Sequence, residues 1–400
     1  MSEGPALILR AGPFFLCGEA RVKQSLLSSD LGIDDFIKGY WNRESLLLKS
    51  GLSGASALAS FEEILDFGGE AQFESRMVIE KLGGKDYKCL PGPIELSELD
   101  MDDDERWTLL AHGLNLYNPD FFELAQKFNF IPNWMFDDIM ASYSKEGASV
   151  GAHIDHYGVF IIQGLGKRKW LLENNPNPAY IPNLEIKLLA EFHPDQEYIL
   201  ESGDVLYIPP GVAHHGISLT DSLSYSVAFR SYSDFDYLAS FGDFGADTSK
   251  GGVAIHPVVE SSSETDVITD QYILKIQDSF KKAISDKEQL SIWLGQMMSA
   301  PRMAFEKGEK LCSEQFFGLL TQGAELFHSE HLRMNVDESR VHLFIGGKRF
   351  DYSQQDYLFF QKIVGAAPFE SFTLNDQKLG EDVKKILYSL HCEGVFFYED

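Results

Sequence analysis

Two histidines and an aspartate crowd the start of "VGAHIDHYGVFIIQGLGKRKW", residues 150–170. Side chains alternate along a strand, so His153 and Asp155 share a face and Ile154 points the other way. An imidazole and a carboxylate side by side fill two adjacent corners of a metal coordination sphere. "GDVLYIPPGVAHHG", residues 203–216, supplies a third: a strand ends, Pro209-Pro210-Gly211 turns the chain, and His214 follows. Two histidines and one carboxylate on one face make the facial triad of non-haem Fe(II) chemistry, which leaves three coordination positions open. A structural zinc site would instead be closed by protein ligands. An isolated H-x-D usually binds nothing; its conjunction with a second strand, a proline turn and a histidine is what carries weight. His156 and His215 each neighbour a chosen ligand in sequence, so in extended backbone they face away. The remaining histidines, at 112, 193, 256, 328, 331, 342 and 391, lack such context and read as structural.

The basic cluster that follows carries a second signal. In "GKRKW" alternation puts Arg168, Trp170 and Leu172 on one face and Lys167 and Lys169 on the other. If the tryptophan and leucine face a barrel interior, so does Arg168. A guanidinium there is costly unless an anion meets it, and its planar fork suits a carboxylate. A metal triad together with a buried arginine implies 2-oxoglutarate as co-substrate, with its keto-acid end on Fe(II), its far carboxylate on Arg168, and O2 at the remaining position. The competing reading is an internal salt bridge between Arg168 and an acidic side chain.

These groups need elements to hold them. After Ser142 come "VFIIQGLG", "KRKWLLE", "EYILESGDVLYIPPG" and "SLSYSVAFRSY", rich in Val, Ile, Phe and Tyr and separated by glycine or proline. A dense series of short strands predicts a barrel or sandwich rather than a parallel α/β sheet. "LGIDDFIKGYW" and "PDFFELAQKF" have helical spacing, with Asn118-Pro119 starting the second. "SELDMDDDER" reads as a solvated acidic turn or helix start. "GDFGADTSKGGVAIHPVVESSSETD" reads as a linker. Beyond it Ile268, Tyr272, Ile273, Ile276 and Phe280 mark one helix face, either core or a subunit interface. The last part, with "VHLFIGGKRFDYS", "QDYLFFQKIVGA", "EDVKKILYSLH" and "GVFFYED", predicts a small α+β module containing a β-hairpin.

Composition limits the function classes. The chain has 400 residues, 44% of them hydrophobic, and a formal net charge of −27, so it is globular in character and repels phosphate backbones. No direct nucleic-acid partner is expected; a basic protein would be attracted. Four scattered cysteines indicate neither a disulfide framework nor a cysteine zinc site, which fits a reducing cytoplasm. "ALILRAGPFFLCG" is interrupted by Arg10 and does not read as a signal peptide, and no stretch has the length of a membrane span.

"PNWMFDDIMASYS", "GAHIDHYGVFIIQGLGKRKW", "GDVLYIPPGVAHHG" and "YSVAFR", in that order and spacing, resemble the JmjC-type 2-oxoglutarate/Fe(II) oxygenases, and among them the bacterial ribosomal oxygenases. The resemblance implies an α+β chain built on a double-stranded β-helix, the jelly-roll or cupin-like JmjC barrel, over residues 34–235. A linker and helical dimerisation domain would occupy 236–330, and a winged-helix-like domain 331–400. Residues 1–33 form an N-terminal extension without a counterpart. Carried over, the iron ligands fall on His153, Asp155 and His214, the 2-oxoglutarate arginine on Arg168, and a pocket-lining serine on Ser142. Two departures lie beside the triad: "SKEGASVGAH" replaces a more glycine-rich stretch, and the second histidine of "AHHG" replaces an often acidic residue. The implied activity is hydroxylation of an arginine side chain in a basic large-subunit ribosomal protein, by a cytoplasmic homodimer without membrane contact. Asp137, Asp138, Tyr143 and Tyr157 are candidates to meet such a side chain. The alternatives are a cupin-like metalloenzyme acting on a small molecule and a non-catalytic protein-binding module.

Overall fold

A computed structural model of the chain describes residues 31–71, 73–81, 86–94, 106–248, 254–256, 267–301, 310–329, 332–338, 342–365, 371 and 379–398. Residues 1–30 of the expected N-terminal extension, nearly all of the acidic "SELDMDDDER" segment and His331 lie outside them. The chain divides into two compact units, one running through residue 229 without 132–135 and the other holding those four residues and everything from 230 onward.

In chain order the first unit holds α1 (Ile33–Gly39), β1 (Leu46–Leu48), α2 (Phe61–Gly69), β2 (Ser75–Lys81), β3 (Asp86–Pro91) and β4 (Arg106–Ala111). Then come α3 (Leu114–Tyr117), α4 (Pro119–Gln126), β5 (Phe136–Ser144), β6 (His153–Ile154), β7 (Val159–Leu165) and β8 (Arg168–Glu173). The unit closes with β9 (Gln196–Leu200), β10 (Val205–Ile208), β11 (Ala213–Ser218) and β12 (Ser222–Phe229). An eight-stranded sheet has the order β1-β10-β7-β12-β5-β4-β2-β3, a four-stranded sheet the order β6-β11-β8-β9, and the pairings are antiparallel. This is the expected barrel, with both faces of its large sheet covered.

The two faces explain the near-continuous apolar run of "VFIIQGL". Val159 and Ile161 of β7, with Leu206 and Ile208 of β10, pack inward against Trp170, Leu172 and Leu200 of the small sheet and against Val212 in the turn before β11. Phe160 and Tyr207, one residue out of phase, face outward and meet Phe36 of α1 at ring distances of 5.5 and 5.1 Å. Phe121 of α4 covers Tyr225 of β12 in the same way, at 5.1 Å. Helix α4 begins where Asn118-Pro119 predicts. The Asn118 side chain accepts from the backbone N–H groups of Asp120 (2.9 Å) and Phe121 (3.4 Å), and Pro119 takes the first turn, where no N–H is needed.

The second unit begins with α5 (Asp234–Thr248), which overturns part of the linker expectation: "GDFGADT" is the end of a helix. Its Tyr237 and Phe241 pack on Trp293, whose indole donates to Ser240 Oγ at 3.1 Å, so an apolar stripe outweighs the glycines. The helical stretch beyond divides into α6 (Asp270–Ser285) and α7 (Lys287–Ser299), because Asp286 leaves helical geometry and caps the second. No residue of α6 is buried, and Ile273 and Phe280 are more than half exposed. Helix α8 (Ser313–Thr321), β13 (Leu326–His328), β14 (Met334–Val336), β15 (His342–Ile345), β16 (Lys348–Asp351), α9 (Gln354–Val364), α10 (Glu381–His391) and β17 (Phe396–Tyr398) build the α+β module around Phe316, Leu343, Phe360, Leu387 and Phe396. The hairpin expected in "VHLFIGGKRFDYS" is β15–β16, turned by Gly346 and Gly347, both at positive φ.

Candidate metal and co-substrate site

Strand register brings the two histidines together. In the β6–β11 pair His153 stands opposite His214, with ring centroids 4.2 Å apart. Gly151, at φ +85°, turns the chain into His153, and a Cβ there would lie 2.7 Å from the Leu188 side chain. Asp155 falls just beyond the two-residue strand. Its carbonyl accepts from Gly211 N–H at 2.8 Å, which ties it to the Pro-Pro-Gly turn that precedes His214. His214 Nε2 and Asp155 Oδ2 are 3.6 Å apart, and ligand atoms of His153, Asp155 and His214 all lie within 4.8 Å of one another. Atoms bound to one metal at about 2.1 Å sit roughly 3 to 4 Å apart, so small side-chain rotations suffice to share an ion.

The imidazoles are oriented for this. His153 Nδ1 lies 3.0 Å from the Gly151 carbonyl and His214 Nδ1 3.2 Å from that of Val212. A carbonyl only accepts, so both Nδ1 atoms carry the proton and both Nε2 lone pairs are left to bind. Burial, and then the neighbouring His153, push the His214 pKa down to about 4, so the imidazole is neutral near pH 7. Tyr157 lies beside Asp155. Its phenol is held protonated by burial first and then by Asp155, Asp138 and Asp137, which gather acidic charge beside the triad. His156 is exposed, and His215 faces Phe192 at 6.0 Å, both out of the ligand set as alternation predicts. Among the described residues no fourth metal-binding side chain joins the three.

Arg168 enters the same interior. On β11 and β8, His214 pairs with Leu172, Gly216 with Trp170 and Ser218 with Arg168, so all six share one face. His214 and Ser218 are four residues apart, about 13 Å at strand rise, a gap that the arginine side chain and a five-carbon dicarboxylate span together. Gly216 makes room for Trp170, since a Cβ there would come within 2.9 Å of the ring. The Trp170 indole N–H is buried without an acceptor among the described residues.

Arg168 is buried, and burial lowers its pKa to about 9, which still leaves it charged at neutral pH. Its guanidinium meets the hydroxyls of Ser142 (3.0 Å), Ser144 (2.9 Å), Ser222 (2.9 Å) and Ser224 (2.8 Å). No carboxylate pairs with it among the described residues, which therefore do not build the internal salt-bridge alternative. A buried cation in a neutral hydroxyl cage fits an anionic ligand. Ser142, the serine that the resemblance gives, is one of the four hydroxyls on Arg168. Ser144, Ser222 and Ser224 were missed, although serines at every second position of "ASYS" and "SLSYS" carried the signal. The same parity removes Tyr143. With Ser142 and Ser144 facing in, it faces out, stacked on Phe61 at 4.6 Å and edge-on to Trp107 at 5.2 Å. Asp138 is engaged by His112 Nδ1 at 3.0 Å and by Gly113 N–H at 3.3 Å.

Comparison with known proteins agrees with this geometry. A family model described as a JmjC domain matches residues 123–237. The chain is 30% identical over 270 residues to the ribosomal protein uL16 3-hydroxylase of Escherichia coli, covering 67% of this chain and 71% of that one. It is 33% identical over 201 residues to a probable ribosomal oxygenase of Haemophilus influenzae, covering 49% and 48%. The crystal structure of E. coli YcfD superposes with a TM-score of 0.75 at 25% identity, over 92% of this chain and 98% of that one. The same E. coli ribosomal oxygenase in complex with cobalt and 2-oxoglutarate gives 0.72 at 25% identity, over 92% and 99%. With its triad, its buried arginine and a uL16 hydroxylase relative matched over most of its length, this chain belongs to the JmjC-domain ribosomal oxygenases.

Proposed function

We propose that the protein is an Fe(II)- and 2-oxoglutarate-dependent hydroxylase that acts on an arginine side chain of a large-subunit ribosomal protein. The observation that carries this reading is the pairing, in one barrel, of the His153, Asp155 and His214 cluster with a buried Arg168 that has no carboxylate partner among the described residues. His153, Asp155 and His214 would hold the metal; Arg168 and Ser142 would hold the far end of the co-substrate. Bound Fe(II) supplies the redox chemistry that couples O2 and 2-oxoglutarate to hydroxylation, with succinate and CO2 as by-products. The chain's own residues position and exclude: Nδ1 contacts fix the imidazoles, the Gly211 N–H holds the Asp155 backbone, and the apolar walls keep water out.

A basic substrate fits both the net charge of −27 and the acidic neighbourhood of Tyr157, Asp137 and Asp138. The names of the E. coli and H. influenzae relatives support a ribosomal protein as that substrate, in the cytoplasm. No helix of the described residues is long and apolar enough to cross a membrane. The unburied apolar face of α6 supports a helical dimerisation domain, the hairpin-bearing module supports a winged-helix-like end, and the net charge of −27 favours structure or protein contacts over nucleic-acid binding for that end. The test is incubation of the protein with ribosomal proteins, Fe(II) and 2-oxoglutarate, followed by peptide mass spectrometry. One added oxygen on an arginine, matched by succinate, is expected. Succinate with oxygen on another residue type refutes the arginine target; no 2-oxoglutarate turnover with any ribosomal protein refutes the activity.

A further inference from the structure

His153 has the weaker seat of the two imidazoles. His214 stands on the six-residue β11, flanked by β6 on one side and β8 on the other. His153 opens the two-residue β6 at the edge of the small sheet, where few backbone bonds hold the chain. The connection from β8 to β9, residues 174–195, supplies further support. It folds back on itself: Ile181 N–H donates to the Leu188 carbonyl at 2.8 Å and Ala190 N–H to that of Ala179 at 2.9 Å, with Tyr180 bridging to Leu189. Its base is closed by Asn174 Nδ2 on the Asp195 carboxylate at 2.9 Å and by His193 N–H on that of Glu173 at 2.8 Å. Leu188 is buried in one apolar cluster with Val78, Tyr87 and Leu110 of the large sheet. From that anchorage the connection touches the segment leading into β6 twice. Leu189 N–H donates to the Ala152 carbonyl at 2.9 Å. The Leu188 side chain fills the space over Gly151, where a Cβ would lie 2.7 Å from it. Gly151 is the residue whose carbonyl accepts from His153 Nδ1 at 3.0 Å, so packing at Leu188 is relayed to the imidazole through one residue.

We propose that residues 179–190 form a positioning arm for the metal ligand His153, with Leu188 as the positioning residue that acts through Gly151. This rests on the metal-site reading above and deepens it. When the Leu188 side chain is shortened, the Gly151 backbone gains room to turn. Its carbonyl then holds the Nδ1 proton less firmly, and the Nε2 lone pair loses its aim at the ion. The arm thus bears on metal affinity separately from its share in folding stability.

The test is calorimetric titration of Mn(II) into the metal-free full chain, with urea unfolding of the same samples. Leu188→Ala should weaken Mn(II) binding about tenfold, the size of effect that follows when a ligating imidazole loses its support. Val78→Ala shortens a side chain of the same apolar cluster on the sheet side. It should lower the unfolding midpoint while Mn(II) affinity stays within about twofold of the wild type. Leu188→Val, a milder truncation, must weaken Mn(II) binding in the same direction by a smaller factor, which keeps the proposal refutable if the alanine variant does not fold. An unchanged Mn(II) affinity in the folded Leu188 variants overturns the arm. Equal weakening in Val78→Ala also overturns it, since metal affinity would then only follow the stability of the unit. A wild-type chain that takes up no Mn(II) overturns the metal site itself, and the arm with it.

Discussion

His214 shows how one environment sets a side chain's chemistry. Burial disfavours the imidazolium, so the folded chain holds the His214 pKa near 4 against an ordinary 6.5. The folded state then binds fewer protons than the unfolded state between those values, and stability falls as pH drops through that window. The two values correspond to on the order of 3 kcal/mol at full effect. Urea unfolding of the metal-free protein should show lower stability at pH 5 than at pH 7, and His214→Asn should shrink that difference. A wild-type stability that does not decline between these pH values would contradict the assignment. Arg168 belongs to the same scale. Arg168→Ala removes the charge but not the triad, so KM for 2-oxoglutarate should rise by about two orders of magnitude while Fe(II) affinity holds. An unchanged KM would refute its role.

Strands carry these residues, and their period of two made much of the site readable. Alternation alone put His153 with Asp155 and Arg168 with Trp170, and parity set aside His156 and His215. What it could not supply was register: which strand lies beside which depends on long-range packing. Alternation shows that the serines share a face within each strand, but that they gather around Arg168 follows only from β5, β8 and β12 meeting there. Tyr143 failed for the complementary reason, being close in sequence to Ser142 but on the opposite face. The "GDFGADT" stretch misled because glycine propensity is local, whereas Tyr237 and Phe241 are held by Trp293. Gly216 shows how tightly the elements constrain one another. Gly216→Ala drives a Cβ into the Trp170 ring, within 2.9 Å, so the strand that carries His214 must shift. A destabilisation of about 1–3 kcal/mol is expected in denaturant unfolding, with weaker metal binding. Wild-type values for both would show that the ring has room to move.

Across the whole molecule, acidity and exposed apolar surface are the two features a single chain leaves unexplained. The net charge of −27 would steer in a substrate of the basic kind proposed above, and such steering weakens with salt. Helix α6 presents Ile273 and Phe280 to solvent, an apolar face that a second copy would cover. Phe280→Asp combined with Ile273→Asp should convert a dimer to a monomer on sizing with light scattering; a variant that stays dimeric would place the interface elsewhere. The account as a whole depends on three side chains from two distant segments gripping one ferrous ion. Anaerobic titration of Fe(II) into the metal-free protein, followed calorimetrically in the wild type and in Asp155→Ala, tests this most directly. One equivalent bound per chain in the wild type and none in the variant is the predicted result. Equal binding by both would contradict it.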